Sequence, residues 1–396
     1  MKKITFLLAF LCAGIVLAQK TMTPGLLWQG KKVSPLGLSD KGDVLFYKVS
    51  SPNMEENSFD SKYFAMTISG GYVAEITKEE VKVADKNLSP NGQYLLTSKD
   101  VHVKDVAGKD IYEDLPKSDA YVYTTLDYRH WDKYNDGSYS HVFYKDVKTG
   151  AETDITPQQP YYTPQAPFGG DEDYIWGPKG ENIYYVSKKK AGTDYAISTN
   201  TDIYKYNLAN RTTENITEEN KGYDTQPAFS KEGALAWLQM KTDGYEADKN
   251  DIIVLQNGIK QNLTSQWDGT VDSFLWAQNN KDIYFIAPVD GTKQIFKVDY
   301  PGKTRKMALV EQLSKGQFDV TGIVAENNGK LIVTRTDMNH ASEIFSFDLK
   351  SNTFIQLTQV NKDLYAKLDM PTVEKRMVTT KDGKQMLVWV ILPPNF

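Results

Sequence analysis

Short runs of apolar and aromatic residues, broken every few positions by Gly, Asn or Asp, fill this chain from about residue 36 to residue 358. Inside the runs apolar and polar positions alternate, which is the period of half-buried strands. No segment sustains apolar residues at i, i+3, i+4 and i+7 for three turns. The pattern therefore predicts strands nearly throughout and almost no helix. Three phrases recur. The first is a turn followed by an apolar strand, as in Ser39-Asp-Lys-Gly-Asp-Val-Leu-Phe-Tyr47, Gly177-Pro-Lys-Gly-Glu-Asn-Ile-Tyr-Tyr185 and Ala277-Gln-Asn-Asn-Lys-Asp-Ile-Tyr-Phe285. The second is an alternating strand ending in Asp or Asn, as in Asp202-Ile-Tyr-Lys-Tyr-Asn-Leu208 and Glu343-Ile-Phe-Ser-Phe-Asp-Leu349. The third is an apolar residue and a hydroxyl, as in Ile216-Thr217, Leu263-Thr264, Leu313-Ser314 and Leu357-Thr358.

The turn positions Gly42, Gly92, Gly180, Gly233, Asn280 and Gly329 recur about every fifty residues, apart from one interval of 88. Strand, turn, strand at that period predicts an all-β fold, a β-propeller, because a small antiparallel unit buries its faces only by packing against like units around an axis. Six units are evident, at about 36–77, 87–156, 171–217, 222–264, 268–314 and 316–358. The second is too long. Its extra stretch, 104–140, is too polar around Tyr128–Gly137 for a central strand and reads as a projecting loop. A seventh, irregular blade drawn from this insert or from the N-terminal segment stays open. The 24 tyrosines suit pleated, half-buried strands.

After Thr358 the pattern changes. Two apolar strands flank Lys381-Asp-Gly-Lys384, and Pro393-Pro394 follows. This reads as a hairpin with no blade to join, the first element of a further domain. The expected division is a signal segment at 1–18, an N-terminal segment at 19–35, the propeller at 36–360, and a linker with the start of a truncated α/β-hydrolase domain at 361–396.

Met1-Lys-Lys3, the apolar run Ile4–Leu17 and Val16-Leu-Ala18 read as a secretory signal cleaved after Ala18. The expectation is an exported protein, periplasmic or extracellular, with no membrane span. Cys12, the sole cysteine, lies in that signal, so the mature chain has no disulfide, thiolate nucleophile or cysteine-ligated metal. Cleavage leaves 44 basic against 51 acidic side chains, and this mild acidity argues against nucleic acid as a partner. Lys188-Lys-Lys190, the one dense basic run, reads as a solvated loop. The chain has no Gly-x-Ser-x-Gly elbow, P-loop, dinucleotide fingerprint or His-Glu-x-x-His helix, and its four histidines show no ligand spacing. No catalytic residue, metal or cofactor is expected in the propeller.

The signal segment, the Asp-Ile-Tyr strands and Asp382-Gly-Lys-Gln-Met-Leu-Val-Trp-Val-Ile-Leu-Pro-Pro-Asn-Phe396 together resemble the prolyl-oligopeptidase family of serine peptidases, in which such a hairpin begins the hydrolase domain. The likeness is strongest to the bacterial secreted dipeptidyl peptidase V branch. Asp127-Tyr-Arg-His-Trp-Asp-Lys-Tyr134, Asp194–Tyr204, Gly222–Ser230 and Asp243-Gly-Tyr-Glu-Ala-Asp-Lys249 carry it. The resemblance implies a cofactor-free exopeptidase that releases dipeptides from peptide N-termini. Its Ser-Asp-His triad would lie beyond Phe396, in a hydrolase domain that the propeller caps. A homodimer of the full-length form is also expected. Glu55-Glu56, Glu79-Glu80 and Glu218-Glu219 lack the context of the amine-binding Glu pair of dipeptidyl peptidase IV relatives, and that role is carried onto none of them.

Holding a peptide's cationic amine in a cleft needs a carboxylate or carbonyl oxygens. Glu246, with Tyr245, is the first candidate; the plain alternative is a turn carboxylate capping backbone or pairing with Lys249. Arg129, Trp131 and Asp132 could give an apolar wall with polar handles, or Trp131 could simply staple the insert to the propeller. Asn200 and Asp202, at a loop-to-strand junction, and Tyr223 and Asp224, before a core strand, are weighed against local turn roles. The alternative function is a stand-alone exported propeller that binds a protein or glycan. The terminal hairpin argues against it, because a lone Leu387–Leu392 edge would be exposed and prone to aggregate.

Overall fold

The computed structural model describes residues 21–302 and 307–396. The signal segment lies outside the described residues. Six small antiparallel sheets follow one another along the chain. Five have four strands in sequential order, and they span 32–76, 174–215, 224–262, 273–312 and 319–356. The remaining blade, the second, pairs Tyr94–His102 with Ser138–Asp146 and Glu152–Asp154, and its inner strand is reduced to one bridge, Leu88 to Leu95. The first blade starts at Lys32, four residues before the pattern suggests, because Lys32–Leu38 pairs with Val44–Asn53 across a bulge at Pro35/Gly37. The insert of the second blade forms no seventh blade among the described residues. It holds one helical turn, Gly108–Ile111, and a two-residue-strand hairpin, Arg129–His130 with Lys133–Tyr134.

The repeated phrases have physical causes. All six turn positions adopt the left-handed conformation, from φ 55° at Asn280 to φ 82° at Gly233. That explains why Gly or Asn stands there. The closing hydroxyls are buried and hold the start of the third strand. Thr217 Oγ1 accepts from Ile203 N at 3.0 Å, Thr264 Oγ1 from Ile252 N at 3.0 Å, Ser314 Oγ from Ile295 N at 2.8 Å, and Thr358 Oγ1 from Ile344 N at 2.9 Å. Each hydroxyl in turn donates to a side chain of that third strand: Asp202, Asp251, Gln294 or Glu343.

Apolar clusters join consecutive blades. Leu96 and Val142 meet Tyr174 and Ile183; Val186 and Ile203 meet Trp237; Ala236 and Val254 meet Phe285; Ile286 and Ile295 meet Val333 and Phe347. The ring closes where Val33, Leu45 and Met66 of blade 1 meet Ile332 and Ile344 of blade 6. Among the described residues no strand is exchanged at this closure, since every blade is contiguous in sequence. Asn361 acts as the clasp instead: its Oδ1 accepts from Lys31 N and its Nδ2 donates to Lys31 O, both at 2.8 Å.

Candidate functional site

Because strands alternate in direction, the connections from the second to the third strand of every blade emerge on one face of the ring. These connections are 103–137, 188–201, 240–250, 290–291 and 337–342 in blades 2 to 6. The terminal hairpin, Thr372–Thr379 with Gln385–Leu392, sits on that same face. Trp389 Nε1 donates to Asp290 O at 3.1 Å, Lys375 pairs with Asp290 at 2.7 Å, and Asn339 Nδ2 donates to Pro371 O at 2.9 Å. All the residues singled out from sequence lie on or near this face, on blades 2, 3 and 4.

Blades 3 and 4 are tied together here. Asp243 Oδ1 accepts from Ser198 Oγ at 2.7 Å and from Thr199 N at 2.8 Å, and Gly244 N donates to Thr199 Oγ1 at 2.9 Å. This holds the exposed Tyr245-Glu246 tip beside the connection of blade 3. Glu246 makes no hydrogen bond or ion pair among the described residues; Lys249 pairs instead with Asp251, at 2.9 Å. Glu246 stays within electrostatic reach of Lys188 and Tyr223. Burial, and then Glu246, raises the half-buried Tyr223 phenol.

The Lys188-Lys-Lys190 run is not a solvated loop. Lys188 is buried, donates to Tyr195 O at 2.9 Å and Ser198 O at 3.0 Å, and lies 3.8 Å from the Tyr195 ring centre. Burial pulls its ammonium below the ordinary lysine range, while Asp127, Asp243 and Glu246 hold it up. Lys189 is half-buried over the Tyr204 ring at 4.0 Å. A lysine stem packs well on apolar surface, and carbonyl oxygens and ring faces replace water at its head.

Asp224 and Asp202 face the protein. Asp224 is fully enclosed, and three N–H groups converge on it: Trp237 Nε1 and Gln239 Nε2 at 2.7 Å on Oδ1, and Asn220 Nδ2 at 2.9 Å on Oδ2. Asp202 takes the Thr217 hydroxyl at 3.4 Å, in the position that Asp251 and Glu343 occupy in other blades. The signal for Asp202 was in the repeat itself. Asn200 has a buried Oδ1 without a hydrogen-bond partner among the described residues. Trp131, at the tip of the insert's hairpin with φ 48°, is two-thirds exposed and meets Phe168 edge-on at 5.8 Å. The Arg129 and Asp132 side chains beside it are exposed and make no hydrogen bond or ion pair among the described residues. Glu246, with Tyr245 beside it at the tip, thus lies within electrostatic reach of Tyr223. The structure leaves the Arg129–Asp132 tip on the separate insert.

The insert carries a residue not nominated above, Asp127. It is half-buried and adopts φ 70°, which is uncommon for an aspartate. Burial pushes its carboxyl up to about 6, with Lys188 pulling the other way. Among the described residues nothing donates a hydrogen bond to it. Around it the insert is held by aromatic rings: Tyr121, Tyr123, Tyr128 and Tyr134 stack with centroids 5.6–6.5 Å apart, and Tyr123 OH donates to Asn135 O at 2.6 Å. At the neck, Gly137 O accepts from Val103 N and Lys104 N, and a Cβ at Gly137 would lie 1.7 Å from Lys104 O. Among the described residues no group of three His, Cys, Asp or Glu is arranged to hold a metal, and no helix is long and apolar enough to cross a membrane.

The comparisons with known proteins agree with this architecture. No protein-family model matches the chain. It is 31% identical to dipeptidyl-peptidase 5 of Porphyromonas gingivalis, over 95% of this chain and 61% of that protein. It is 29% identical to dipeptidyl-peptidase 5 of Porphyromonas endodontalis, over 95% of this chain and 60% of that one. The chain therefore spans about three-fifths of the curated relatives it matches. Among solved structures, the acylaminoacyl peptidase of Pyrococcus horikoshii shares the fold with a TM-score of 0.66 at 14% identity, covering 92% of this chain and 58% of that one. The chain thus forms a six-bladed ring with the hairpin on its loop face, similar in sequence to proteins named dipeptidyl-peptidase 5 and in fold to an acylaminoacyl peptidase. The chain is similar to relatives named dipeptidyl-peptidase 5, in keeping with its resemblance to the prolyl-oligopeptidase family.

Proposed function

We propose that this chain is the gating and substrate-anchoring propeller of a secreted serine dipeptidyl peptidase. The observation that carries the reading is the convergence on one face. The segments most specific to the resemblance, around Asp127, Asp194 and Asp243, emerge on the side of the ring where the terminal hairpin docks. A hydrolase domain continuing from that hairpin would cover this face. The polar loops would then line the chamber between the two. A peptide reaching that chamber would meet carboxylates and carbonyl oxygens suited to its amine. The ring would exclude folded chains by size. The nucleophile, its base and the oxyanion donors would come from the covering domain, so this chain alone is expected to be inactive.

Two measurements test the reading. The reading frame after the Phe396 codon should continue into a Gly-x-Ser-x-Gly elbow, and the longer product should cleave dipeptidyl chromogenic substrates. The 396-residue chain should neither cleave them nor react with a fluorophosphonate probe. A stop codon at that point in the native gene, or probe labelling of the isolated chain, overturns the proposal. Export is checked by finding the mature protein, beginning near Gln19, in the periplasm or medium.

A further inference from the structure

Arg335, near the end of the second strand of blade 6, Lys330–Thr336, is held by rings and by nothing else. Its guanidinium carbon lies 3.9 Å from the ring centre of Phe318, 4.8 Å from that of Phe345 and 5.2 Å from that of Phe354. Ring contacts engage the faces of a guanidinium and leave the N–H groups along its edges free. The Arg335 side chain makes no hydrogen bond or ion pair among the described residues. It is half-buried, and desolvation pulls it below the ordinary arginine range, with Asp337 opposing from beyond ion-pair distance. A desolvated cation with idle donors costs stability unless a ligand uses it.

Those donors border a cavity of about 580 Å³ between the outer strands of blade 6 and the helical turn Lys362–Tyr365. Phe345, Phe354 and Tyr365 give it an apolar wall. Lys362 is a second cation on its lining, exposed and with its ammonium unpaired among the described residues. Two acids also line the cavity, and both are committed elsewhere. Asp337 caps its own turn: it takes the His340 ring at 2.9 Å, Asn339 N at 2.8 Å and His340 N at 2.9 Å. Glu343 is buried and accepts from the Thr358 hydroxyl and from Val360 N. We propose that Arg335, with Lys362 as its exposed second cation, binds a carboxylate carried on an apolar body, as in a peptide with an acidic group beside an aromatic residue. The planar fork of a guanidinium matches the two oxygens of a carboxylate, and its three phenyl neighbours fix the fork in place before the ligand arrives. The cavity is far larger than a bare anion, and its apolar wall suits the rest of such a ligand. A phosphate dianion would give up more hydration than one fixed guanidinium beside two acids returns. The site stands whether or not the chain serves a peptidase.

The test is calorimetric titration of the 396-residue chain with acetyl-Phe-Gln amide, which is neutral, acetyl-Phe-Gln with a free C-terminal carboxylate, acetyl-Phe-Glu amide, and inorganic phosphate. At least one of the two acidic peptides should bind about tenfold or more tighter than the neutral one, the worth of one charge-assisted contact. The tighter acid tells whether the site reads a main-chain or a side-chain carboxylate. Arg335→Met keeps an unbranched stem against the three rings and removes a desolvated charge. It should melt at an unchanged or raised temperature and lose the preference for acid. Arg335→Lys keeps the charge without the fork and should bind the preferred acid at least about threefold more weakly than wild type. A preference for acid that survives in Arg335→Met, or is undiminished in Arg335→Lys, overturns Arg335 as the anchor. A wild-type chain that binds the neutral peptide as well as the acids, or binds none of the peptides, overturns the site. Phosphate binding as tight as that of the acids overturns the apolar part of the ligand.

Discussion

Removing the Asp224 carboxylate tests whether that residue is a structural knot or a substrate contact. Asp224→Ala leaves Trp237 Nε1, Gln239 Nε2 and Asn220 Nδ2 without the acceptor they share. Trp237 and Asp224 are both fully buried, so water cannot take its place without opening blade 4. Each buried donor left alone costs about 1–3 kcal/mol, and the three are coupled, so the loss should be about 3–5 kcal/mol. Asp224→Asn keeps one oxygen for Trp237 and Gln239 but turns an amide toward Asn220. Asn220 also donates to Met240 O at 2.9 Å and cannot flip freely, so this variant should lose about 1–2 kcal/mol. Urea titration followed by tryptophan fluorescence measures both. An Asp224→Ala chain within about 1 kcal/mol of wild type refutes the knot, as does one that loses peptide binding at unchanged stability.

The same residue sets a pH dependence. Burial pushes the Asp224 carboxyl up to about 7, against the pull of its three donors. The folded value lies above the unfolded one of about 3.9, so the folded state binds the proton more tightly. This contribution to stability is complete below about pH 4 and is lost as pH rises through about 7. Asp224→Asn has no such titration. Its deficit against wild type should therefore be largest near pH 4 and shrink or reverse towards pH 8. A deficit that grows over that interval means the sign is wrong and the donors win.

The clasp and the hairpin give further tests. Asn361→Ala removes both bonds to the Lys31 backbone at the closure of blades 1 and 6, and should cost about 1–3 kcal/mol. Hydrogen exchange should quicken first in residues 31–38, and uniform quickening would count against a local clasp. Trp389→Ala loses the bond to Asp290 O and the packing on Gly291, where a Cβ would come within 2.7 Å of the indole nitrogen. Limited proteolysis should then cut 372–392 sooner while the melting of the blades stays within about 0.5 kcal/mol of wild type. A large drop in the blades' own stability would show that the hairpin is part of the ring.

The blades were legible in the sequence because each must solve the same packing problem. A left-handed turn, a buried strand pair and a hydroxyl at the third strand recur as Gly180, Ile183 and Thr217 and again as Gly329, Leu331 and Thr358. The loops between second and third strands obey no common constraint. Their lengths run from two residues at Asp290-Gly291 to the whole insert of blade 2, so periodicity says nothing about their contacts. The Lys188–Lys190 run shows the consequence. Charge density alone suggested a solvated loop, but the helical turn Gly192–Ile197 folds back so that the carbonyl groups of Tyr195 and Ser198 surround Lys188. Asp202 shows the reverse case, since comparing Asp202, Asp251 and Glu343 across the repeats would have exposed its structural role.

Asp127 escaped for a third reason. Nothing in its neighbours' identities distinguishes it from Asp132, five residues on, which is exposed at the hairpin tip. What separates the two is tertiary: the insert is held by its tyrosine contacts, and Asp127 is half-buried without a donor among the described residues while Asp132 stays exposed. A sequence can mark a loop as specific, as it did for Asp127–Tyr134, because unusual residue choices there serve no repeat. It cannot mark which acid in that loop is desolvated, since desolvation belongs to the packing of the insert against blade 3.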